Sequence, residues 1–336
     1  MSAAPIINMQ MSTHPHTALF PIYVRQGKSR KRSKTGYIDV DGNVLIEPHF
    51  CYGYEFREGL APVAVGKQWG TWGFIDQSAS LVIPPIFDSA DCFSEGRAVF
   101  RDRSGLGGYV DRHGRVVISP RYTLLAEFSE GYAWVSRDGR YGFVDVAGEE
   151  VFGLRFEDAR NFHNGFAAVK AGRWGYIDTK GTFVIQPKFD GPMAGPFHDG
   201  RARVRLGDGW GFIDQSGALT MPMTFRKVLD FSEGLAPVLV NNQWGFIDSD
   251  GQFAIPPRFD AATSFSEGLA RVGTEHIYGF IDSSGAFVIS PRFAFAKDFR
   301  NGLCWVDLKS ECGYVNRQGR FVWKGPDVET GMAFRV

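Results

Sequence analysis

The sequence predicts an all-β fold, a tandem array of about nine three-stranded repeats of about 34 residues each, and three recurring motifs carry that prediction. The first, Gly then Phe/Tyr then Ile/Val then Asp/Asn, begins at Gly36, Gly73, Gly108, Gly142, Gly175, Gly211, Gly245, Gly279 and Gly313, at spacings of 37, 35, 34, 33, 36, 34, 34 and 34. The second, Phe-x-x-Gly-x-Ala-x-Val, begins at Phe56, Phe93, Phe128, Phe162, Phe197, Phe231, Phe265 and Phe299. The third is an aromatic after Pro-x, at Phe50, Phe87, Tyr122, Phe189, Phe259 and Phe293, with irregular versions at Phe156 and Phe225. Self-similarity at a fixed period marks a repeat array in which each unit buries its apolar face only against its neighbours.

One unit, residues 231–264, justifies the elements in order. Leu235-Ala236-Pro237-Val238-Leu239-Val240 is a β-rich run, strand A. A short polar loop, Asn241-Asn242-Gln243, leads to strand B, Trp244 to Asp248, and a turn with Gly251 leads to strand C, Gln252 to Ile255. Pro256-Pro257 is expected to end strand C, because proline lacks the ladder donor; an irregular connector follows. The Asp248-x-x-Gly251 turn has a mechanism: the carboxylate accepts backbone N–H groups, and glycine takes the left-handed conformation at the end. The second unit departs from it, with Ala79 where glycine is expected, at a cost of roughly 1 kcal/mol if the residue is left-handed. The small residue after Phe-x-x-Gly-x implies close approach of a neighbouring unit. The three motif aromatics absorb 20 of the 30 phenylalanines, which assigns the aromatic richness to core rather than to a ligand-binding cage. The tryptophan before the first motif is expected to be buried with its N–H bonded.

Phe20 to Val24 aligns with Ala61 to Val65, so unit 1 has its own strand A, and Gly331-Met332-Ala333 repeats the start of a strand A after unit 9. The expected organisation is a disordered leader, residues 1–17, and a single array, residues 18–336, of nine units plus a terminal strand. An open, twisted or superhelical array is the expected arrangement, since closed propellers typically have four to eight four-stranded blades. A closed propeller-like ring is the alternative.

Lys and Arg number 37 and Asp and Glu 37, so no global field steers the chain to nucleic acid or to a membrane. No run of about 18 apolar residues spans a bilayer, and the first 17 residues lack the layout of a secretory signal. Of the four cysteines, Cys304 takes the repeat's Ala position and Cys312 its Trp position, while Cys51 and Cys92 fall at positions that vary freely, so none suggests a disulfide or metal pattern. Cytoplasm is the expected compartment, with export by a signal-independent route as the alternative.

Trp72-Gly73-Phe74-Ile75-Asp76, Trp174 to Asp178, Trp210 to Asp214 and Trp244 to Asp248 resemble the WG (KWG) repeat of bacterial proteins, over about residues 20–336. The tryptophan is replaced by Tyr141, Tyr278, Gly107, Cys312 and Thr35 in the other units. The resemblance implies a β-repeat interaction module with no catalytic residues to carry over.

The acids that end strand B, Asp39, Asp76, Asp111, Asp145, Asp178, Asp214, Asp248 and Asp282, with Asn316 in the ninth, each start a turn. Glu58, Glu95, Glu130, Asp199, Glu233 and Glu267 precede the glycine of Phe-x-x-Gly, where Asn164 and Asn301 also stand. Asparagine fails as a general acid but serves in a turn, so both sets are read as structural. No HExxH, GxSxG or P-loop motif is present. Neither a catalytic residue nor a metal site nor a cofactor is assigned. The loop between strands A and B varies while its flanks do not, which is where a repeat protein places recognition. In units 1 to 5 these loops carry Arg25, Lys28, Arg30, Lys31, Arg32, Lys34, Lys67, Arg101, Arg103, Arg137, Arg140, Lys170 and Arg173 against Asp102 and Asp138. The expected function is a non-enzymatic scaffold for protein–protein interaction, its partner an acidic protein, with nucleic acid as a lesser candidate. The alternatives are a hydrolase or transferase whose site is assembled across repeats, and a structural protein of an envelope or effector assembly.

Overall fold

The computed structural model describes residues 18–25, 33–66, 70–309 and 311–325, and no helix occurs among them. The expected leader, the terminal strand and most of the unit 1 loop lie outside the described residues. Nine small antiparallel sheets follow one another along the chain. Blade 7 is representative: a two-residue strand, Lys227–Val228, pairs with strand A, Ala236–Val240, which pairs with strand B, Gln243–Ile247, which pairs with strand C, Phe253–Phe259. The short strand lies in the segment read from sequence as an irregular connector. It turns most units into four-stranded blades, while blades 1 and 6 keep three strands.

The sheets close into a ring, so the arrangement is the propeller-like alternative and not the open array. Blade 9 packs on blade 1: the Tyr314 ring packs at a tilt on Phe20 with centroids 5.4 Å apart, and its hydroxyl donates to the Pro21 carbonyl at 3.0 Å. Ile22, Ile38 and Leu303 are buried in the same seam. The chain is a nine-bladed β-propeller.

At every seam between consecutive blades the first two motifs meet. The aromatic after the motif-one glycine packs on the Phe of the next Phe-x-x-Gly: Tyr37–Phe56, Phe74–Phe93, Tyr109–Phe128, Phe143–Phe162, Tyr176–Phe197, Phe212–Phe231, Phe246–Phe265 and Phe280–Phe299, with centroids 4.8–5.2 Å apart. Such pairs add about 0.5–1.5 kcal/mol each beyond their burial. Ala61, Ala98, Ala133, Ala167, Ala202, Ala236, Ala270 and Cys304 are buried, as the need for close approach requires.

Strand C does not end at its prolines. Phe253–Phe259 runs through Pro256 and Pro257, and the register shifts there, Phe246 facing Ile255 and Trp244 facing Phe259. Strand C has no further strand outside it, so proline removes no ladder bond, and the extra residues arch over Gly245. A Cβ on Gly245 would lie 2.7 Å from both the Ile255 carbonyl oxygen and the Pro257 nitrogen. The glycine of Trp-Gly is therefore fixed by sterics rather than by φ.

Asp248 behaves as expected of a turn residue, its Oδ1 accepting from the N–H of Asp250 at 3.0 Å and of Gln252 at 2.9 Å. The Ser216 and Ser284 hydroxyls, and then backbone N–H groups, hold Asp214 and Asp282 below the usual carboxylate range. Ala79 has φ 66°, in the place where the other blades use left-handed glycine. Its half-buried methyl packs on the blade 1 cluster around Ile46. We expect Ala79→Gly to raise stability by less than about 1 kcal/mol, strain relief being offset by the lost contact and by the extra freedom of the unfolded chain. Thermal melting checks it, and a fall of that size would contradict the strain assignment.

Burial of the repeat tryptophans holds for Trp72, Trp174 and Trp244, whereas Trp210 is half-buried. Only Trp174 makes the expected N–H bond, to the Gly191 carbonyl at 3.3 Å. Two of the others find faces instead: Tyr54 stacks on Trp72 at 5.1 Å, and the Lys227 ammonium sits 5.7 Å from the Trp244 ring.

Candidate binding faces and central channel

An antiparallel blade sends successive connections to opposite ends. The A–B loops of all blades therefore share one face of the ring, and the Phe-x-x-Gly and Asp-x-x-Gly turns share the other. The A–B loops of blades 4, 7 and 8 are two-residue turns with both residues left-handed: Asp138-Gly139, Asn241-Asn242 and Glu275-His276.

The basic residues singled out on the loop face are unequally available. Lys28, Arg30, Lys31, Arg32 and Lys67 lie outside the described residues, and of Arg25 only the backbone, in strand A of blade 1, is described. Lys34 turns to the Cys51 sulfur at 3.6 Å. Arg101 donates to the carbonyls of Gly105 and Thr123, at 2.9 and 3.0 Å. Arg137 pairs with Glu150 at 3.2 Å and Arg173 with Asp190 at 3.3 Å. Lys170 is half-buried. Arg103 and Arg140 are exposed and make no hydrogen bond or ion pair among the described residues. The basic side chains of these loops that are described thus share one face, but several of them are spent on their own blades.

The short strands line the axis. Two ion pairs establish this by linking blades two apart, which only residues near the centre can reach: Arg57 to Glu127 at 2.5 Å and Arg300 to Glu55 at 3.7 Å. The residue before each motif-two Phe faces this region and is polar in most blades: Glu55, Cys92, Glu127, Asn161, Asp230, Ser264 and Asp298. Arg203 Nε sits 2.8 Å from Asp230 Oδ1, bent too far for a hydrogen bond, so both atoms retain unused capacity. Burial raises the Asp230 carboxyl against the pull of Arg203, His198 and His163. Burial, with the His198 ring at 5.1 Å, lowers His163, against Glu130, Asp230 and Glu127. Burial pushes the Cys92 thiol up to about 12, against Arg57. Sequence reasoning missed this channel set. Its signal was the one variable polar position inside an otherwise fixed motif frame.

No group of three or more His, Cys, Asp or Glu side chains among the described residues is arranged to hold a metal ion. No helix among them is long and apolar enough to cross a membrane.

The family described as WG containing repeat matches residues 36–69, 72–103, 108–141, 141–172, 174–210, 210–244, 244–274 and 278–310. This chain is a WG-repeat protein. No curated protein matches its sequence. Among solved structures, a eukaryotic initiation factor is similar to this WG-repeat protein at 11% identity, with a TM-score of 0.64 over 94% of this chain and 96% of the other. That likeness concerns the fold alone. Looser matches are the dihydro-heme d1 dehydrogenase NirN, at 12% identity and TM-score 0.48 over 82% and 75% of the two chains, and BamB from Moraxella catarrhalis, at 13% and 0.46 over 90% and 95%.

Proposed function

We propose that this WG-repeat protein is a non-enzymatic scaffold, acting in the cytoplasm, whose loop face takes up an acidic surface of a partner protein. One observation carries the reading: the A–B loops of blades 3 to 5 open on a single face, with Arg103 and Arg140 exposed and unpaired among the described residues. Loops of blades 6 to 9 contribute Asp208, Glu275, Asp307, Lys309 and Glu311, so the basic sector covers only part of the rim. A sector of that kind suits a bounded acidic patch better than a long polyanion, which the acidic sector would repel.

The test uses polyglutamate and duplex DNA as probes at two salt concentrations, with Lys28, Arg30, Lys31, Arg32 and Lys34 replaced by serine, and then Arg103 and Arg140. Binding of polyglutamate is expected to weaken at least tenfold in the combined variant and to lose most of its salt slope, because the contacts are charge–charge and screened. An unchanged affinity and slope would move recognition elsewhere on the ring. Tighter binding to DNA, with a slope that falls as each phosphate contact is removed, would transfer the reading to nucleic acid.

The hydrolase or transferase alternative finds its support in the channel, where Asp230 and His163, both with shifted titration, converge beside the His198 ring. We rank it second because the contact with Arg203 gives Asp230 a structural partner. No hydroxyl or thiol is hydrogen-bonded to either imidazole among the described residues.

A further inference from the structure

The Phe-x-x-Gly turns are joined from blade to blade by carboxylates, and among the described links into blades 3 to 9 one is open. In each of these turns the two central residues are left-handed, as at Asp199 (φ 49°) and Gly200 (φ 72°), so two successive N–H groups point the same way. Such a pair is an anion-binding concavity. The preceding blade normally fills it. Glu95 accepts from the N–H groups of Glu130 and Gly131 at 2.6 and 2.8 Å, one on each carboxylate oxygen. Glu130 does the same for Asn164 and Gly165 at 2.6 and 2.8 Å, and Glu267 for Asn301 and Gly302. Glu58, Asp199 and Glu233 reach the glycine N–H of the next turn, Gly96, Gly234 and Gly268.

The position that would fill the blade 2 turn, residue 17, lies outside the described residues. Among the turns whose preceding blade supplies a described residue, those of blades 3 to 9, blade 6 is the exception. Its filler would be residue 164, which is asparagine, and that amide is engaged elsewhere: Asn164 Nδ2 donates to the Phe197 carbonyl at 2.8 Å. In blades 3, 4, 7 and 8 a serine hydroxyl performs this bond, from Ser94, Ser129, Ser232 and Ser266 to the next Phe carbonyl at 2.7–2.8 Å. His163 stands in the serine position of blade 5 and packs against His198 instead, so Asn164 takes over the serine's bond and no carboxylate remains. The N–H groups of Asp199 and Gly200 have no acceptor among the described residues. Both Asn164 and Asp199 are exposed. Arg201, next in the chain, donates to the Gly200 carbonyl while its Nε is left without a partner.

We propose that the Asp199–Gly200 turn is a binding site for a carboxylate supplied by another molecule, an acidic side chain of a partner protein, on the face opposite the basic loops. The ring itself demonstrates the ligand, since Glu95 and Glu130 occupy the equivalent turns with both oxygens. The site does not depend on the loop-face reading.

The experiment follows the backbone amide resonances of Asp199 and Gly200 in the ¹⁵N-labelled full chain while acetate, inorganic phosphate or chloride is added. Saturable shifts of both amides with acetate, and not with chloride, are expected. In Asn164→Glu the tethered carboxylate should hold both resonances at the bound position and weaken the acetate response at least tenfold, whereas Asn164→Gln should keep it. If Asn164→Glu folds poorly for want of the bond to Phe197, His163→Ser with Asn164→Glu restores the Phe-Ser-Glu-Gly of four other blades. Amides that ignore acetate in the parent chain, or respond equally in the glutamate variant, overturn the proposal. A stronger response to phosphate than to acetate overturns the carboxylate assignment.

Discussion

Replacing Gly73 by alanine is expected to destabilise the ring by about 3 kcal/mol, the upper end of the usual cost of overpacking. The added Cβ would stand 2.4 Å from the Ile83 carbonyl oxygen and 2.8 Å from both the Pro84 carbonyl carbon and the Pro85 nitrogen. All three are backbone atoms of the arch in strand C, so no side-chain rotation relieves the clash. Gly96→Ala is the informative comparison. Nothing lies within 4 Å of its Cβ, yet its φ is +72°, so only left-handed strain of roughly 1 kcal/mol applies. Denaturant unfolding of the two variants separates steric from conformational demand, and equal losses would show that the arch yields.

Tyr314→Ala should cost about 3–5 kcal/mol, as large aromatic truncations in a core do, and should act on closure rather than on one blade. Tyr314 is buried against Phe20, and its hydroxyl holds the Pro21 carbonyl. Tyr314→Phe removes the hydroxyl alone and should cost about 1 kcal/mol. Small-angle scattering should detect an opened, more extended particle for the alanine variant near its melting transition. A melting loss with a ring that stays compact until global unfolding would mean that the remaining seam contacts, such as Ile22 and Leu303, suffice.

The three repeat motifs made the strand order, the buried aromatics and the turn chemistry legible, because each motif marks a physical demand met once per blade. Ala79 was legible as a left-handed residue for the same reason. Closure was not legible: the Phe246–Phe265 contact is the same whether the array curls into a ring or a helix, and only contacts between the last blade and the first two, such as Tyr314 against Phe20 and Arg300 with Glu55, distinguish them. Pro256 and Pro257 were misleading, since a rule about lost ladder bonds has no force on a strand with nothing beyond it. The short inner strands escaped notice because two residues, such as Lys227 and Val228, carry no alternation to read. The open turn at Asp199 needed the structure, since Asn164 in place of glutamate looks conservative until its amide is found on Phe197.

The arched outer strands also bear on self-association. Nine strand edges face outward round the circumference, and an exposed edge with free donors invites pairing with another chain. Seven of them contain proline: Pro48, Pro84 with Pro85, Pro120, Pro187, Pro222, Pro256 with Pro257, and Pro291. Blade 4 has none but kinks instead, with Phe152 at φ 63° and Gly153 at φ 70°, and blade 9 presents a strand of only four residues. Nowhere among the described edges is there a long, flat template, so a protein built from nine copies of one sheet is guarded against stacking on its own kind at the very positions that made room for the glycines.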